Sequence, residues 1–143
     1  MPLSGFFSRY AELSLTAQPE ALAKLYAPTF IVGGPQGSQA FPNDARFIEW
    51  LRQVFDFNRQ HGMRALTAVS IRELTLSPLH TLATVTWGAR FEKTGDRLIE
   101  FDIAYLLERA ADDWRILSYI AQSDQMAEMA KEGLIDDPTA TPP

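Results

Sequence analysis

The chain has 143 residues and no cysteine, so it is the size of one domain and forms no disulfide, thiol nucleophile or cysteine-ligated metal centre. Its two histidines are too few for a histidine-rich metal site. The net charge of −5 sits mostly in residues 124–143, which hold five acids and one base, while the bases of the body are scattered; a nucleic-acid partner would need a basic patch.

No stretch approaches the ~20 apolar residues that cross a bilayer. The start, Met1 to Arg9, lacks a basic region followed by an apolar core. The expectation is a cytoplasmic protein with no membrane partner, no nucleic-acid partner, no metal and no cofactor. Hydrophobic periodicity is helical before about residue 62 and alternates by two after it. Residues 1–123 read as one α+β domain. Residues 124–143 read as an acidic tail, a short helix and then disorder.

In chain order, Leu3, Phe6, Tyr10, Leu13 and Ala17 form one stripe of a first helix over 3–17. A short second helix carries Pro19 in its first turn and Leu22, Leu25 and Tyr26 on its inner face, and Pro28 stops it. Thr29–Val32 reads as a short strand. Residues 33–42 read as a loop, pinched into a small hairpin near Ala40-Phe41. A third helix begins at a cap on Asn43 or Asp44 and ends at His61-Gly62.

Four long strands follow over 64–76, 81–93, 97–108 and 114–123, joined by short turns that make each pairing antiparallel. Leu74 and Leu76 fall out of phase with Val69 and Ile71, which predicts a bulge near Arg72-Glu73. A loop at Thr94-Gly95-Asp96 sets Ala83, Val85, Trp87, Ala89 and Phe91 on one face with Ile99, Phe101, Ile103, Tyr105 and Leu107. The same parity turns Glu100 and Asp102 outward. Trp114, Ile116, Ser118, Ile120 and Gln122 complete the helix-covered face. Leu82, Ala104, Leu106, Leu117, Tyr119 and Ala121 form an apolar outer face, which predicts a homodimer through the outer sheet surface.

The segments Phe7–Leu13, Leu22–Phe30, Ala83–Trp87 and Asp113–Ile116, in this order and spacing, resemble the NTF2-like superfamily. That group includes nuclear transport factor 2, ketosteroid isomerases, scytalone dehydratase and the SnoaL-like cyclases. The resemblance spans about residues 3–123. It implies a cone, with three N-terminal helices packed on a strongly curved antiparallel sheet around an apolar pocket. It also implies a small apolar or aromatic ligand, and cofactor-free lyase, isomerase or cyclase chemistry where there is any. A non-catalytic binding or protein-interaction module of the same fold is the alternative. Fold alone does not transfer a reaction. The ketosteroid isomerase pattern matches at Tyr10, but Val32-Gly33-Gly34-Pro35 has no carboxylate where the base belongs, and Asp102 faces outward.

The expected ligand-binding residues are Tyr10, Trp50, Asn58, Trp87, Tyr105, Ser118 and Gln122. Tyr10 is either a donor to a ligand or a core tyrosine bonded to backbone or water. Asn58 projects from the apolar arc of the third helix and needs a partner or a cavity. Trp50, Trp87 and Tyr105 are aromatic walls or core packing. Ser118 and Gln122 interrupt the apolar face of the last strand. No catalytic residue is assigned, because no carboxylate points inward.

Overall fold

The computed structural model describes residues 2–122, so the acidic tail lies outside the described residues. Helix α1, Leu3–Leu15, starts directly after Pro2 and buries Leu3, Phe6, Phe7, Tyr10 and Ala11. Helix α2 is one short segment, Pro19–Ala23. Helix α3, Ala45–Gln60, is capped by the Asp44 carboxylate, which accepts from the amides of Arg46 and Phe47, and it ends at His61 before Gly62 at φ 79°.

The chain departs from the expected pattern between α2 and α3. Tyr26 is not helical; it opens strand β1, Tyr26–Gly34, which runs straight through Pro28. Strand β2, Gly37–Pro42, returns as a full antiparallel partner of β1, with Gly37 at φ 123° closing the turn. A proline is tolerated at β1 because the register there is already irregular between Tyr26 and Ile31. Asn43 ties this corner together: its Nδ2 donates to the carbonyls of Ala23, Tyr26 and Ala27 at 2.8, 3.2 and 3.3 Å.

Strands β3 (Met63–Thr75), β4 (His80–Phe91), β5 (Ile99–Ala110) and β6 (Asp113–Ala121) form the antiparallel meander that was expected. The complete order is β2-β1-β6-β5-β4-β3. This is a curved, unclosed sheet in which β1 pairs with β6 in parallel, a pairing the alternation of residues did not reveal. Trp87 pairs with Phe101, and Thr86 with Asp102. Every inward residue assigned to β4 and β5 is buried, from Ala83 to Phe91 and from Ile99 to Leu107. Asp102 faces outward and accepts from the Thr86 hydroxyl at 2.6 Å.

Irregularities in two strands fall where the sequence reading did not put them. The extra residues of β3 are Arg64, between the pairs Met63↔Phe91 and Ala65↔Arg90, and Val69, between Ala68↔Trp87 and Ser70↔Thr86, not Arg72 or Glu73. Leu66, Ala68 and Ile71 therefore pack on the core, and Leu74 and Leu76 stay exposed. In β6 the register shifts at Leu117, because Ile116 pairs with Leu107 and Ser118 pairs with Leu106. One extra residue exchanges the two faces of a strand. Beyond Leu117 the inward residues are Tyr119 and Ala121, which pair with the inward Tyr105 and Ile103.

Candidate functional site

The chain has four tyrosines, and one each comes from α1, β1, β5 and β6. Tyr10 lies on the buried stripe of α1, and Tyr26 is where β1 first meets β6. Tyr105 and Tyr119 are cross-strand partners, their rings 5.6 Å apart and nearly perpendicular. All four line one cavity of about 110 Å³. Phe7 packs among them, 4.9 Å from the Tyr105 ring and edge-on to Trp87 at 6.0 Å.

Their polar ends meet. The Tyr10 and Tyr26 hydroxyls are 2.6 Å apart, and Trp87 Nε1 donates to the Tyr105 hydroxyl at 2.9 Å. Burial raises the Tyr10 pKa to about 12, although hydrogen bonds from Tyr26 and Tyr105 pull it down. Burial pushes Tyr26 and Tyr105 well above the ordinary value, and the neighbouring phenols push them further. Tyr119 is shifted upward by burial and then by Tyr10. All four are neutral at physiological pH, and a neutral phenol can donate a hydrogen bond.

Helix α3 supplies the facing wall through Phe47, Trp50, Leu51, Val54, Phe55 and Asn58. Trp50 stands at the rim, 37% exposed and stacked on Phe47 at 6.2 Å. With Val32 and Phe47 it also lines a groove of about 480 Å³ beside the β1–β2 hairpin. The Asn58 side chain lines the cavity and has no hydrogen-bond partner among the described residues.

The structure thus brings together five of the seven residues expected from sequence: Tyr10, Trp50, Asn58, Trp87 and Tyr105. Ser118 and Gln122 do not belong to the site. The shift at Leu117 turns Ser118 outward, where its hydroxyl donates to the Ile31 carbonyl at 3.2 Å. Gln122 is exposed, and its amide bonds to the Asp102 carbonyl. Tyr26 and Tyr119 were missed. Tyr26 was read as a helical core residue and Tyr119 as part of the outer face; the signal that finds both is the count of four tyrosines in otherwise apolar segments.

Among the described residues, no aspartate, glutamate, histidine, lysine or arginine lines the cavity. His61 is held at the end of α3 by the Phe57 carbonyl at 2.7 Å, and His80 opens β4 with its ring against Ser77 of the preceding turn. Among the described residues no three histidines or carboxylates gather into a metal-binding group, and no helix is long and apolar enough to cross a membrane.

A family profile described as NTF2-like protein (DUF6841) matches residues 3–124. Solved structures share the fold. An NTF2-like protein with a cystatin-like fold from Novosphingobium aromaticivorans is 14% identical, with 93% of this chain and 86% of that one covered and a TM-score of 0.68. A function-unknown protein from Mycobacterium tuberculosis is 11% identical, with coverage of 97% and 79% and a TM-score of 0.65. A candidate scytalone dehydratase from Novosphingobium aromaticivorans is 15% identical, with coverage of 83% and 79% and a TM-score of 0.62. Likeness at this identity is one of fold. No curated protein matches the sequence.

Because every tyrosine of the chain lies in the cluster, its phenol titration has no ordinary component. An unfolded tyrosine ionises near 10, whereas folded Tyr10 ionises near 12. The stability this contributes is fully present below about pH 10 and is lost as pH rises through 12. Tyrosinate absorbance is expected to stay flat through pH 10 in the folded protein and to rise only toward 12, together with unfolding. A normal wave for even one tyrosine near pH 10 would show that it is not buried in the cluster.

Proposed function

Since the chain belongs to the NTF2-like family, we propose that its cavity binds a small, flat, single-ring molecule. The observation that carries this reading is the division of the cavity wall. Phenol hydroxyls and an indole N–H gather at one end, and α3 offers aromatic and aliphatic side chains at the other. Binding sites combine apolar walls with a few convergent polar groups in this way. The volume of about 110 Å³ sets the scale, since an apolar protein cavity of roughly 150 Å³ accepts benzene.

Where chemistry accompanies binding, we propose the cofactor-free kind, lyase, isomerase or cyclase, in which neutral hydroxyls polarise the ligand. The candidate scytalone dehydratase among the structural relatives agrees with this class. A second reading, a non-catalytic binding module, is favoured by a cavity wall that, among the described residues, offers no carboxylate or histidine to serve as a base.

The outer face supports a further part of the proposal, a homodimer through the sheet. Corrected for the shift at Leu117, that face carries Ile31, Leu74, Leu82, Ala104, Leu106 and Ile120. Ile31 is 48% exposed, Leu74 58% and Ile120 38%, an apolar surface that a two-fold contact would cover.

For the cavity, the test is thermal unfolding with benzene. The expected result is a saturable rise in Tm for the native chain and none for Val54→Phe, which fills the space. An unchanged Tm in the native chain, or an equal rise in the filled variant, contradicts the reading. For the dimer, sedimentation of Leu106→Asp is expected to give a monomer where the native chain gives a dimer. A native chain that sediments as a monomer removes that part of the proposal.

A further inference from the structure

The hydrogens of the aromatic cluster do not balance its acceptors. Trp87 brings one N–H and the four tyrosines bring one O–H each, so five donor hydrogens face one small volume. Trp87 spends its hydrogen on the Tyr105 oxygen, and one hydrogen lies between Tyr10 and Tyr26. Tyr105 also bonds to Tyr10, which spends a third. At least two hydrogens remain, whichever way each hydroxyl turns.

Nothing on the wall absorbs them. Among the described residues the cavity has no carboxylate and no imidazole. Ser14 donates its own hydroxyl hydrogen to the Tyr10 carbonyl. Asn58 is the remaining polar side chain, and among the described residues it bonds to none of the tyrosines. Tyr119 makes ring contact with Tyr105, and its hydroxyl has no hydrogen bond among the described residues. Buried donors are normally satisfied, so surplus donors define a place for an acceptor.

We propose that the cavity selects rings whose polar edge is a bare hydrogen-bond acceptor, such as a carbonyl, enolate or phenolate oxygen or an unprotonated ring nitrogen. Rings that present only a donor bind more weakly. This rests on the ligand-binding reading above and adds the polarity of the ligand to it. The indole at the head of the chain of bonds makes the preference one-sided. Trp87 can only donate, so it fixes Tyr105 as an acceptor on that side and sends the Tyr105 hydrogen onward to Tyr10 or into the cavity. A donor ring can pair only with a hydroxyl oxygen, and it leaves the surplus hydrogens of the cluster without a partner.

Three rings of nearly one size separate the possibilities: benzene with no polar edge, pyridine with an acceptor and pyrrole with a donor. Calorimetry of the native chain at mildly alkaline pH, where pyridine is neutral, is expected to show pyridine binding about tenfold tighter than pyrrole. Tyr10→Phe removes a hydroxyl inside the chain of hydrogen bonds, and Tyr119→Phe removes one outside it together with its surplus hydrogen. Each is expected to cut the pyridine-to-pyrrole ratio by roughly threefold or more while leaving benzene within about twofold. Tyr119→Phe carries this arm if Tyr10→Phe does not fold. Binding of benzene with no preference for pyridine over pyrrole overturns the acceptor inference and leaves the cavity reading standing. Failure of all three rings to bind overturns both.

Discussion

A phenol hydroxyl withdrawn from water must be given a partner, and this domain withdraws four of them into the same place. That requirement links elements distant in sequence. Tyr10 on α1 reaches Tyr26 on β1, and Trp87 on β4 reaches Tyr105 on β5. Each bond closes a loop of the chain that hydrophobic contact alone would leave free to slide. The apolar parts of the same side chains supply the packing, with Phe7, Tyr10, Trp87 and Tyr105 in mutual ring contact.

The sheet is shaped to make this meeting possible. Val69 and Leu117 are single extra residues in β3 and β6, and each bends its strand while exchanging the faces beyond it. The exchange in β6 places Tyr119 opposite Tyr105 and leaves Ile120 on the outer surface. It also brings β6 alongside β1, where Val32 pairs with Tyr119. The approach is close at Gly33, where a Cβ would lie 2.8 Å from the Ile120 Cδ1 and would oblige that side chain to move. The acid-free wall follows from the same geometry. Asp102 directly follows the buried Phe101 and is on the opposite parity to Phe101 and Tyr105, so it bonds Thr86 outside the cone.

What the amino-acid order reveals here depends on whether one parity or both carry apolar residues. In β4 and β5 the inward set is large and apolar and the outward set includes Thr84, Thr86, Glu100 and Asp102, so the parity of the two strands was legible, whereas the exact pairing, Trp87 with Phe101, was not. In β6 both parities are apolar around Ile116, Leu117, Tyr119 and Ile120, so alternation could not locate the extra residue. Ser118 and Gln122 were assigned to the pocket for that reason. Tyr26 was hidden differently. Its spacing from Leu22 suits a helix, and Pro28 suggested a stop, whereas the parallel pairing with a strand ninety residues away decides its conformation. Helices α1 and α3 needed no such distant information, because the apolar stripe of each and the Asp44 cap of α3 are local.

The meeting of all four tyrosines is the claim on which the site, its volume and its polarity stand. Nuclear Overhauser contacts in a sample labelled on the tyrosine rings test it directly. The account predicts contacts from Tyr119 to Tyr105 and from Tyr10 to both Tyr26 and Tyr105, with Tyr119 remote from Leu82. Contacts from Tyr119 to Leu82 or Leu106 side chains, without any to Tyr105, would put that ring on the outer face and contradict it.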